Sequence, residues 1–391
     1  MTARLTLAKL PGYWKRLKFE WSQWRWRRYA RWCKAEFEAW RSNFVSSDAE
    51  LLLGAHLHRH GGVRNHLLAL SAFTSLRTLL VPTEAELQRC GSAMFGLHHS
   101  EFLETAPPNS AIAVHTHVLP LLIDWAGVHA PERLRWVHTH HLLYYPAAGR
   151  DKLEPWQEEL NTAMLRGANN SDVCLCVSRW EADLLQRQFG IHARYLPNGV
   201  DVLRCDRASA SRFKKNFRIS KPFVLWVGRL DPVKNPLEFI QLAAQNPEQL
   251  FVMIGGITSA DVNREYHREV PGNLRLLPQL PHLTVLDAVS ACEVLVVTSH
   301  REGLPTLVLE AMALQKQLVV PNEPGCLDAT DGSANALAYK LGDMIDLQHQ
   351  LDCALRNPQP RDSARKRVLS EFDWRVVAAK LDHVYRTGEV P

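Results

Sequence analysis

Two glutamates, Glu302 and Glu310, lie within the segment Glu302–Ala313, which reads Glu-Gly-Leu-Pro-Thr-Leu-Val-Leu-Glu-Ala-Met-Ala. Gly303 permits a turn and Pro305 suits a first helical turn, so we expect Glu302 before a helix and Glu310 about one and a half turns inside it. Carboxylates in these places can accept hydrogen bonds from two separate sets of hydroxyl groups, while the helix N-terminus faces an anion such as phosphate. The alternative is a capping glutamate and a surface glutamate, but the apolar residues just before Glu310 argue against its full exposure.

Two cations, Arg229 and Lys234, follow a predicted strand in the segment Val227–Asn235, together with Gly228. An arginine offers a planar fork to phosphate oxygens, and a lysine offers a point charge. The segment therefore indicates a phosphate-binding loop at the carboxyl end of a strand. The alternative is a solvated turn that carries charges.

A glycine pair, Gly61 and Gly62, lies between a predicted strand and a predicted helix. Glycines in this position let backbone N–H groups approach an anion at the helix N-terminus. The pair is a weak signal on its own, because a tight turn accounts for it equally well.

Histidines recur at the ends of three predicted strands: His56, His58 and His60; His115 and His117; His138, His140 and His141. Alternation along a strand places such side chains on one side, so a chelating set is conceivable. Polar residues that face a cleft are the simpler explanation, and we therefore expect no metal site.

Strands and helices must position these residues, and the apolar pattern predicts two series of strands. The first series is Glu50–Ala55, Leu76–Val81, Ser110–His115, Leu134–Thr139, Val173–Val177 and Ala193–Leu196. The second is Phe223–Gly228, Leu250–Gly255, Leu274–Leu277, Val294–Thr298 and Gln317–Val320. Helical stretches such as Val63–Thr74, Arg179–Phe189 and Asp373–Tyr385 accompany them. Alternating strands and helices indicate an α/β fold with two doubly wound, Rossmann-like domains, joined near Asn198–Arg212. Ligands of such sheets bind beyond the carboxyl ends of the strands, so an interdomain cleft is expected.

In this order and spacing, the motifs resemble glycosyltransferase family 4, whose members have the GT-B fold. Glu302–Ala313 matches the family's Glu-seven-residues-Glu signature, and Gly228 to Leu230 with Lys234 and Asn235 matches its phosphate clamp. Leu196–Asp201 resembles the segment that leaves the N-terminal domain, and Asp373-Trp374 resembles the start of the helix that crosses back. The resemblance covers about residues 50–388. It implies an N-terminal acceptor domain over 49–203, a C-terminal donor domain over 204–372 and a final helix over 373–391.

The resemblance also implies roles on the donor side of the cleft. Arg229 and Lys234 would bind the diphosphate of a nucleotide sugar and stabilise the leaving charge. Glu302 would hold hydroxyls of the donor sugar, and Glu310 would hold the ribose. The remaining donor contacts would come from the segments around Gly61, Gly62, Gly228, Gly303 and Leu304.

On the acceptor side, Trp136 to Thr139 resembles a family strand that ends in a cleft-facing histidine. His138 is therefore expected to contact the sugar, with His117 second, and His140 or His141 could share the role if the register slips. Family members retain the anomeric configuration and need neither a metal in the site nor another cofactor.

One stretch departs from the family pattern. The family often has a glycine pair, a downstream glutamate and an Asn-Gly after the penultimate strand. Here the sequence reads Pro324-Gly325-Cys326-Leu327-Asp328, followed by Asp331-Gly332. The family resemblance therefore assigns no residue of this stretch to contacts with the sugar ring or the base.

Residues 1–44 lie outside the resemblance and differ in composition from the rest of the chain. They contain eleven basic and three acidic residues, a net charge of +8, whereas the 391-residue chain has a net charge of +5. Half of the 12 tryptophans lie there, at helical spacing with leucine, which predicts an amphipathic helical extension over residues 1–48. Such a helix suits the surface of an anionic bilayer. Packing on the enzyme body or a partner is the alternative, and nucleic-acid binding is disfavoured because the main fold is acidic.

The composition and motifs together predict a retaining glycosyltransferase that moves a hexose-type sugar from a nucleotide diphosphate sugar to a glycan or to a lipid-linked, lipopolysaccharide-type acceptor. The alternatives are a sugar-nucleotide epimerase or hydrolase on the same fold, and an inactive membrane-associated scaffold. The eight scattered cysteines favour reduced thiols in the cytoplasm. We therefore expect a cytoplasmic enzyme at the inner face of the plasma membrane.

Overall fold

A computed structural model describes residues 11–54, 62–81, 93–146, 152–257, 270–358 and 362–391. Within them the chain forms two parallel six-stranded sheets, one in each half. Both sheets have helices packed against them, as the alternation of strands and helices predicts. The predicted α/β architecture is therefore confirmed.

The N-terminal sheet has the strand order β2-β1-β3-β4-β5-β6. Its strands are β1 (Leu51–Gly54), β2 (Thr78–Leu80), β3 (Ala113–Thr116), β4 (Arg135–His140), β5 (Val173–Cys176) and β6 (Arg194–Tyr195). Its helices are α1 (Pro11–Val45), α2 (Gly62–Phe73), α3 (Ala93–Leu97), α4 (His99–Leu103), α5 (Pro120–Arg133), α6 (Pro155–Asn170) and α7 (Arg179–Phe189). The register pairs Thr116 with His138 and His138 with Cys174, which brings the carboxyl ends of β3, β4 and β5 to one edge.

The C-terminal sheet has the strand order β12-β11-β10-β7-β8-β9. The connection α8 (Val202–Asp206) and α9 (Ala210–Phe217) leads to β7 (Phe223–Leu230), α10 (Pro236–Gln245), β8 (Leu250–Ile257), β9 (Leu274–Leu277), α11 (His282–Ala291) and β10 (Val294–Val296). There follow α12 (Thr306–Ala313), β11 (Gln317–Pro321), α13 (Pro324–Thr330), β12 (Leu337–Tyr339), α14 (Met344–Arg356), α15 (Asp362–Arg367), a π-helical turn (Val368–Phe372) and α16 (Trp374–Thr387).

Every strand predicted from the apolar pattern is present, and β12 is one that the pattern missed. β12 has only three residues, Leu337–Tyr339, which is too short for alternation to stand out. The predicted domain boundary at residue 203 falls inside α8. Cys205 of α8 and Phe213 of α9 already pack in the core of the C-terminal half.

The last helix, α16, returns to the N-terminal half. Trp374, Val377 and Tyr385 pack in one apolar cluster with Leu51 and Val137 of the N-terminal sheet. The crossing point is fixed by backbone hydrogen bonds, since the Val200 N–H donates to the Phe372 carbonyl at 2.7 Å and the Trp374 N–H donates to the Val200 carbonyl at 3.0 Å. The two halves are thereby joined at a second point besides the chain connection.

The C-terminal part of α1 packs on the body of the protein. Cys33, Phe37, Trp40 and Phe44 are buried at helical spacing. Trp40 stacks on Phe102 at a ring-centroid distance of 5.4 Å. For this part of the helix the alternative of packing on the enzyme body is therefore the correct one.

The earlier tryptophans that motivated the amphipathic prediction, at 14, 21, 24 and 26, lie outside the described side chains. In the described part of the chain, no helix combines the length and apolar character needed to cross a bilayer. The seven cysteines described are all unpaired, and six of them are buried.

Candidate functional site

The predicted cation and carboxylate loops meet at the carboxyl ends of β7 and β10. The Lys234 ammonium contacts a carboxylate oxygen of Glu302 at 2.5 Å, although 68 residues separate them in the chain. The Thr298 hydroxyl holds the two loops together, because it donates to the carbonyls of Lys234 and Asn235 at 2.9 and 2.8 Å. The His300 N–H donates to the Val233 carbonyl at 2.8 Å and adds a further link.

Asp231 organises the turn that follows β7. One of its carboxylate oxygens accepts from the Lys234 N–H at 3.0 Å, and the other lies 3.0 Å from Arg229 Nε. The Arg229 side chain is more than half exposed. The turn thus places one accessible guanidinium and one partly exposed ammonium at the carboxyl end of β7.

Two glycines allow the Glu302 loop its close contacts. A Cβ on Gly303 would clash with the His141 carbonyl of the N-terminal half, and a Cβ on Gly325 would clash with the Glu302 carbonyl. Gly325, the single glycine in the stretch that differs from the family pattern, therefore allows α13 to pack closely against the Glu302 loop. Gly228 has a local role, because its Cβ would lie 2.8 Å from the Trp226 ring.

Glu323 was not predicted as a site residue, but it fixes the Glu302 loop through hydrogen bonds. Its carboxylate accepts from the Glu302 N–H and from the Cys326 N–H, both at 3.0 Å. Burial raises its pKa to about 7. The available signal in the sequence was a glutamate just before Pro324 at a helix start, the place of an N-cap.

Helix α12 begins directly behind the Glu302 loop, and its N-cap residue, Pro305, provides no side-chain cap. An uncapped helix N-terminus leaves backbone N–H groups that favour an anion. The Leu304 carbonyl accepts from the Asn198 amide at 3.1 Å, which ties the start of the helix to the interdomain connection.

Glu310 lies on α12 and is paired with a histidine that the sequence analysis did not single out. One of its carboxylate oxygens lies 2.7 Å from His282 Nε2 at the start of α11. The hydrogen bond to Glu310 raises the pKa of His282. The contact with His282 therefore holds the Glu310 carboxylate in one orientation.

The opposite wall contains histidines from the N-terminal half. His117 Nδ1 lies 3.0 Å from His141 Nε2, just beyond the ends of β3 and β4. The His66 ring on α2 meets both of them edge-on, at ring-centroid distances of 5.3 and 5.2 Å. His117 is fully buried in this cluster, so its predicted contact with the sugar has no exposed ring atom to support it, and His141 borders the Glu302 loop through its carbonyl.

His138 does not reach the cleft, which corrects the prediction that it contacts the sugar. It is fully buried, its Nδ1 lies 2.8 Å from the Thr116 hydroxyl, and its ring is pressed against Gly167 of α6. Residues 136, 138 and 140 point to one face of β4, where the His138 ring packs on α6, whereas residues beyond the strand end are free to turn to the edge. His140 is likewise buried, with Nε2 at 3.2 Å from a Glu181 oxygen.

Arg301 links the two halves beside the site and was also missed. Its guanidinium lies over the Tyr145 ring at 3.2 Å and 5.1 Å from the Trp180 ring, both in the N-terminal half. It is 3.6 Å from the fully buried carboxylate of Glu181. No periodic pattern marks this residue, because its partners come from a different domain.

The glycine pair is only partly described. Gly61 lies outside the described residues. Gly62 is the first residue of α2, and a Cβ there would meet nothing within 4 Å. The structure therefore gives no steric reason for a glycine at position 62.

Taken together, the loops after β7 and β10 and helix α12 offer two cations, an uncapped helix N-terminus and two carboxylates fixed by their contacts. Cations and backbone N–H groups bind an anion with several oxygens, and the carboxylates accept hydrogen bonds from hydroxyl groups. The chemistry that fits is binding of a phosphorylated polyhydroxy compound.

Two family models match the chain. The model described as Glycosyl transferases group 1 matches residues 208–369, and the model described as Glycosyltransferase Family 4 matches residues 109–204. The first contains Arg229, Lys234, Glu302 and Glu310, and the second contains His117 and His141.

Curated relatives match over parts of the chain. An N,N'-diacetylbacillosaminyl-diphospho-undecaprenol alpha-1,3-N-acetylgalactosaminyltransferase of Campylobacter jejuni is 26% identical over 178 residues, which is 44% of this chain and 47% of that protein. A UDP-Gal:alpha-D-GlcNAc-diphosphoundecaprenol alpha-1,3-galactosyltransferase of Escherichia coli is 28% identical over 207 residues, 48% of this chain and 52% of that protein. The chain thus spans about half the length of these relatives.

Solved structures match over most of the chain and show the fold. A sucrose-phosphate synthase from Thermosynechococcus elongatus has a TM-score of 0.70 at 19% identity, covering 86% of this chain and 98% of that one. HepE from Anabaena, solved with UDP and glucose, has a TM-score of 0.72 at 15% identity, covering 87% and 100%.

Proposed function

Because this chain belongs to the family 4 glycosyltransferases with the GT-B fold, we propose that it transfers a hexose-type sugar from a nucleoside diphosphate sugar to a glycan or lipid-linked glycan. The single observation that carries the proposal is the contact of Lys234 with Glu302 in front of helix α12. It unites a phosphate-binding cation with a hydroxyl-binding carboxylate at the edge where such sheets bind ligands.

In the proposed reaction, the bond between the sugar C1 and the diphosphate oxygen breaks, and its electron pair stays on the diphosphate. An acceptor hydroxyl oxygen forms the new bond to C1, and its proton passes to the departing diphosphate. Arg229 and Lys234 stabilise the charge that develops on the leaving group, which is electrostatic catalysis by groups already in place.

The carboxylates orient the donor in this proposal. Glu302 accepts hydrogen bonds from sugar hydroxyls, while Glu310 accepts from the ribose. Lys234 lies 2.5 Å from Glu302, and in this proposal its ammonium also contacts the diphosphate. We propose that the two cations replace a metal ion at the diphosphate and that transfer proceeds with retention, as the family resemblance implies.

We also propose that the acceptor is lipid-linked and that the N-terminal part of α1 lies on an anionic membrane at the cytoplasmic face. Two relatives that act on diphospho-undecaprenol acceptors support the first point. The exposed residues Arg27, Arg31, Trp32 and Lys34 support the second, since basic and tryptophan side chains favour the bilayer interface.

A transfer assay tests the proposal. The intact chain is incubated with UDP-, GDP- or ADP-sugars and an undecaprenyl-diphosphate-linked sugar, and the product and its anomeric configuration are read by mass spectrometry and NMR. We expect a product from one class of donor sugar in an assay to which no metal ion is added. Release of free sugar or an epimer in the absence of acceptor would instead identify a hydrolase or an epimerase.

Vesicle sedimentation tests the membrane proposal. A variant that begins at residue 27 and also carries Arg27→Glu, Arg31→Glu and Lys34→Glu should lose binding to anionic vesicles while keeping transfer to a short-chain, water-soluble acceptor. The truncation must not extend to residue 44, because residues 33–44 contribute to the core. Equal sedimentation of the truncated and full-length chains would contradict the proposal.

A further inference from the structure

Three histidines from separate elements converge in the N-terminal half. His66 lies on α2, His117 follows β3 and His141 follows β4. One ring nitrogen from each lies within 4.8 Å of the other two. We propose that His66, His117 and His141 form a binding site for a first-row transition-metal dication such as Zn²⁺, a property that goes beyond the proposed sugar transfer.

The spacing of the three nitrogens is close to that of a metal site. Zinc binds histidine nitrogen at about 2.0–2.1 Å, so two nitrogens on a tetrahedral ion lie roughly 3.3 Å apart. His117 Nδ1 and His141 Nε2 lie 3.0 Å apart, so an ion between them would replace their hydrogen bond, and the ligand nitrogens of the three histidines all lie within 4.8 Å of one another. Ring rotations that move the nitrogens by about 1 Å would therefore complete the coordination geometry.

The hydrogen-bonding pattern leaves nitrogens available for such an ion. Both ring nitrogens of His66 and the Nε2 atom of His117 are buried. None of the three has a hydrogen-bond partner among the described residues. Asn198 lies close enough to His66 to affect its charge, yet its own amide oxygen is also left without a partner. Buried polar atoms are rarely left unpaired, so this concentration of them needs a ligand.

The chemistry of the cluster favours a metal over protons. Burial disfavours protonation of all three rings by lowering their pKa values, and in His117 and His141 the neighbouring histidines add to this effect. Neutral imidazoles present lone pairs, and imidazole is a preferred ligand of zinc, copper and nickel. A dication satisfies three lone pairs at once, which no single proton can do.

A supporting shell holds the rings in place. His115 packs on His117 at a ring-centroid distance of 4.2 Å and is itself fixed by the Tyr385 and Thr139 hydroxyls, each at 2.7 Å. The Trp374 ring meets His66 edge-on at 4.9 Å. Outer-shell contacts of this kind orient metal ligands and reduce the reorganisation that binding requires.

Three protein ligands leave one tetrahedral position for water or another small ligand. The site also borders the donor loop, because the His141 carbonyl faces Gly303. A bound ion would therefore fix the wall that faces the Glu302 loop. The spacing 66, 117 and 141 belongs to no local sequence motif, so only the fold brings these histidines together.

The test uses the full-length, tag-free chain after chelator treatment and dialysis. Co²⁺ is titrated as a spectroscopic probe, and Zn²⁺ then competes for the same site. We expect one Co²⁺ per chain, the visible bands of a four-coordinate complex, and displacement by one equivalent of Zn²⁺. Each of His66→Gln, His117→Gln and His141→Gln should weaken Co²⁺ binding at least about tenfold.

The control is His383→Gln, at an exposed position on α16. It should bind Co²⁺ as the unchanged chain does. Thermal melts of each metal-free variant establish whether it is folded. His66→Gln changes a residue on helix α2 and leaves the ends of β3 and β4 unaltered. If a folded His66→Gln variant binds Co²⁺ as tightly as the unchanged chain, or if the unchanged chain gives no four-coordinate spectrum, the proposal is wrong.

Discussion

Two cations at one strand end have different surroundings, and the difference determines what each substitution removes. Arg229 is exposed beside Asp231, whereas Lys234 is three-quarters buried against Glu302. Removing one charge-stabilising group from an active site typically slows catalysis by about 10²–10³-fold. We expect Arg229→Ala and Lys234→Ala each to lower kcat in this range in a steady-state transfer assay.

Lys215→Ala is the matched control, because Lys215 is exposed on α9 away from the strand ends. Its kcat should stay within about twofold of the unchanged chain, since surface charges contribute little. A normal turnover in the Lys234→Ala variant would contradict the role given to this residue.

His138 provides a pH-dependent test of its buried position. Burial and the neighbouring His140 lower the pKa of His138 to about 3, and the Thr116 hydroxyl and Gly167 also face the ring. Below pH 6.5 the unfolded chain binds a proton at this residue and the folded chain does not. As the pH drops from 6.5 towards 3, the contribution of His138 alone should lower the free energy of unfolding by about 1.4 kcal/mol per pH unit.

In urea titrations between pH 6.5 and 4, His138→Asn should remove that share of the slope, while exposed His192→Asn should leave the slope unchanged. Identical slopes in the His138→Asn variant and the unchanged chain would show that the ring is accessible to water. That result would restore His138 as a candidate for the cleft.

At the scale of elements, α1 divides into a part that belongs to the core and a part that does not. Trp40 is almost fully buried between Phe95 and Phe102, whereas Trp32 is 39% exposed on the same helix. Truncating a large buried aromatic residue costs about 3–5 kcal/mol. Trp40→Ala should lower the free energy of unfolding by this amount, and Trp32→Ala should change it by less than about 1 kcal/mol.

Denaturant unfolding of both variants measures the difference. Equal effects of the two substitutions would mean that α1 does not pack on the body through the Trp40 face. The membrane proposal concerns only the part of α1 that precedes this buried face.

The loop between β10 and α12 is held to the N-terminal half by Arg301. Its guanidinium packs on Tyr145 and approaches the buried Glu181 carboxylate at 3.6 Å. Arg301→Ala should leave Glu181 buried without its cation and increase amide hydrogen exchange in residues 299–304 several-fold. Arg356→Ala, which breaks an exposed ion pair on α14, is the control and should leave that exchange unchanged.

If amide hydrogen exchange in residues 299–304 is as slow in the Arg301→Ala variant as in the unchanged chain, other contacts hold the loop. Asn198 is the first of these to consider, since its amide donates to the Leu304 carbonyl.

At the scale of the whole molecule, local patterns predicted the strands and the helix that carries Glu310 well. Apolar runs such as Val224 to Val227 are long enough to identify buried parallel strands. The motif around Glu302 and Glu310 is contiguous, so its helix and loop could be placed from spacing alone. The opposite wall is built from isolated histidines, and their assignment failed at His138.

The failure has a physical reason. A shift of one residue at a strand end moves a side chain from the edge to a covered face, and the sequence does not mark where β4 stops. Contacts across the cleft, such as Arg301 with Tyr145 or His66 with His141, depend on how the two halves and their helices pack. No local period carries that information.

The central claim is that this two-domain chain binds a nucleoside diphosphate sugar through Arg229, Lys234 and Glu302. Calorimetric titration of the intact chain with UDP-, GDP- and ADP-sugars tests it most directly. One donor class should bind with one molecule per chain, and Lys234→Ala should weaken this binding at least about tenfold, since a charged hydrogen bond is worth about 1.5–3 kcal/mol. Absence of binding to all three classes, or unchanged affinity in a folded Lys234→Ala variant, would contradict it.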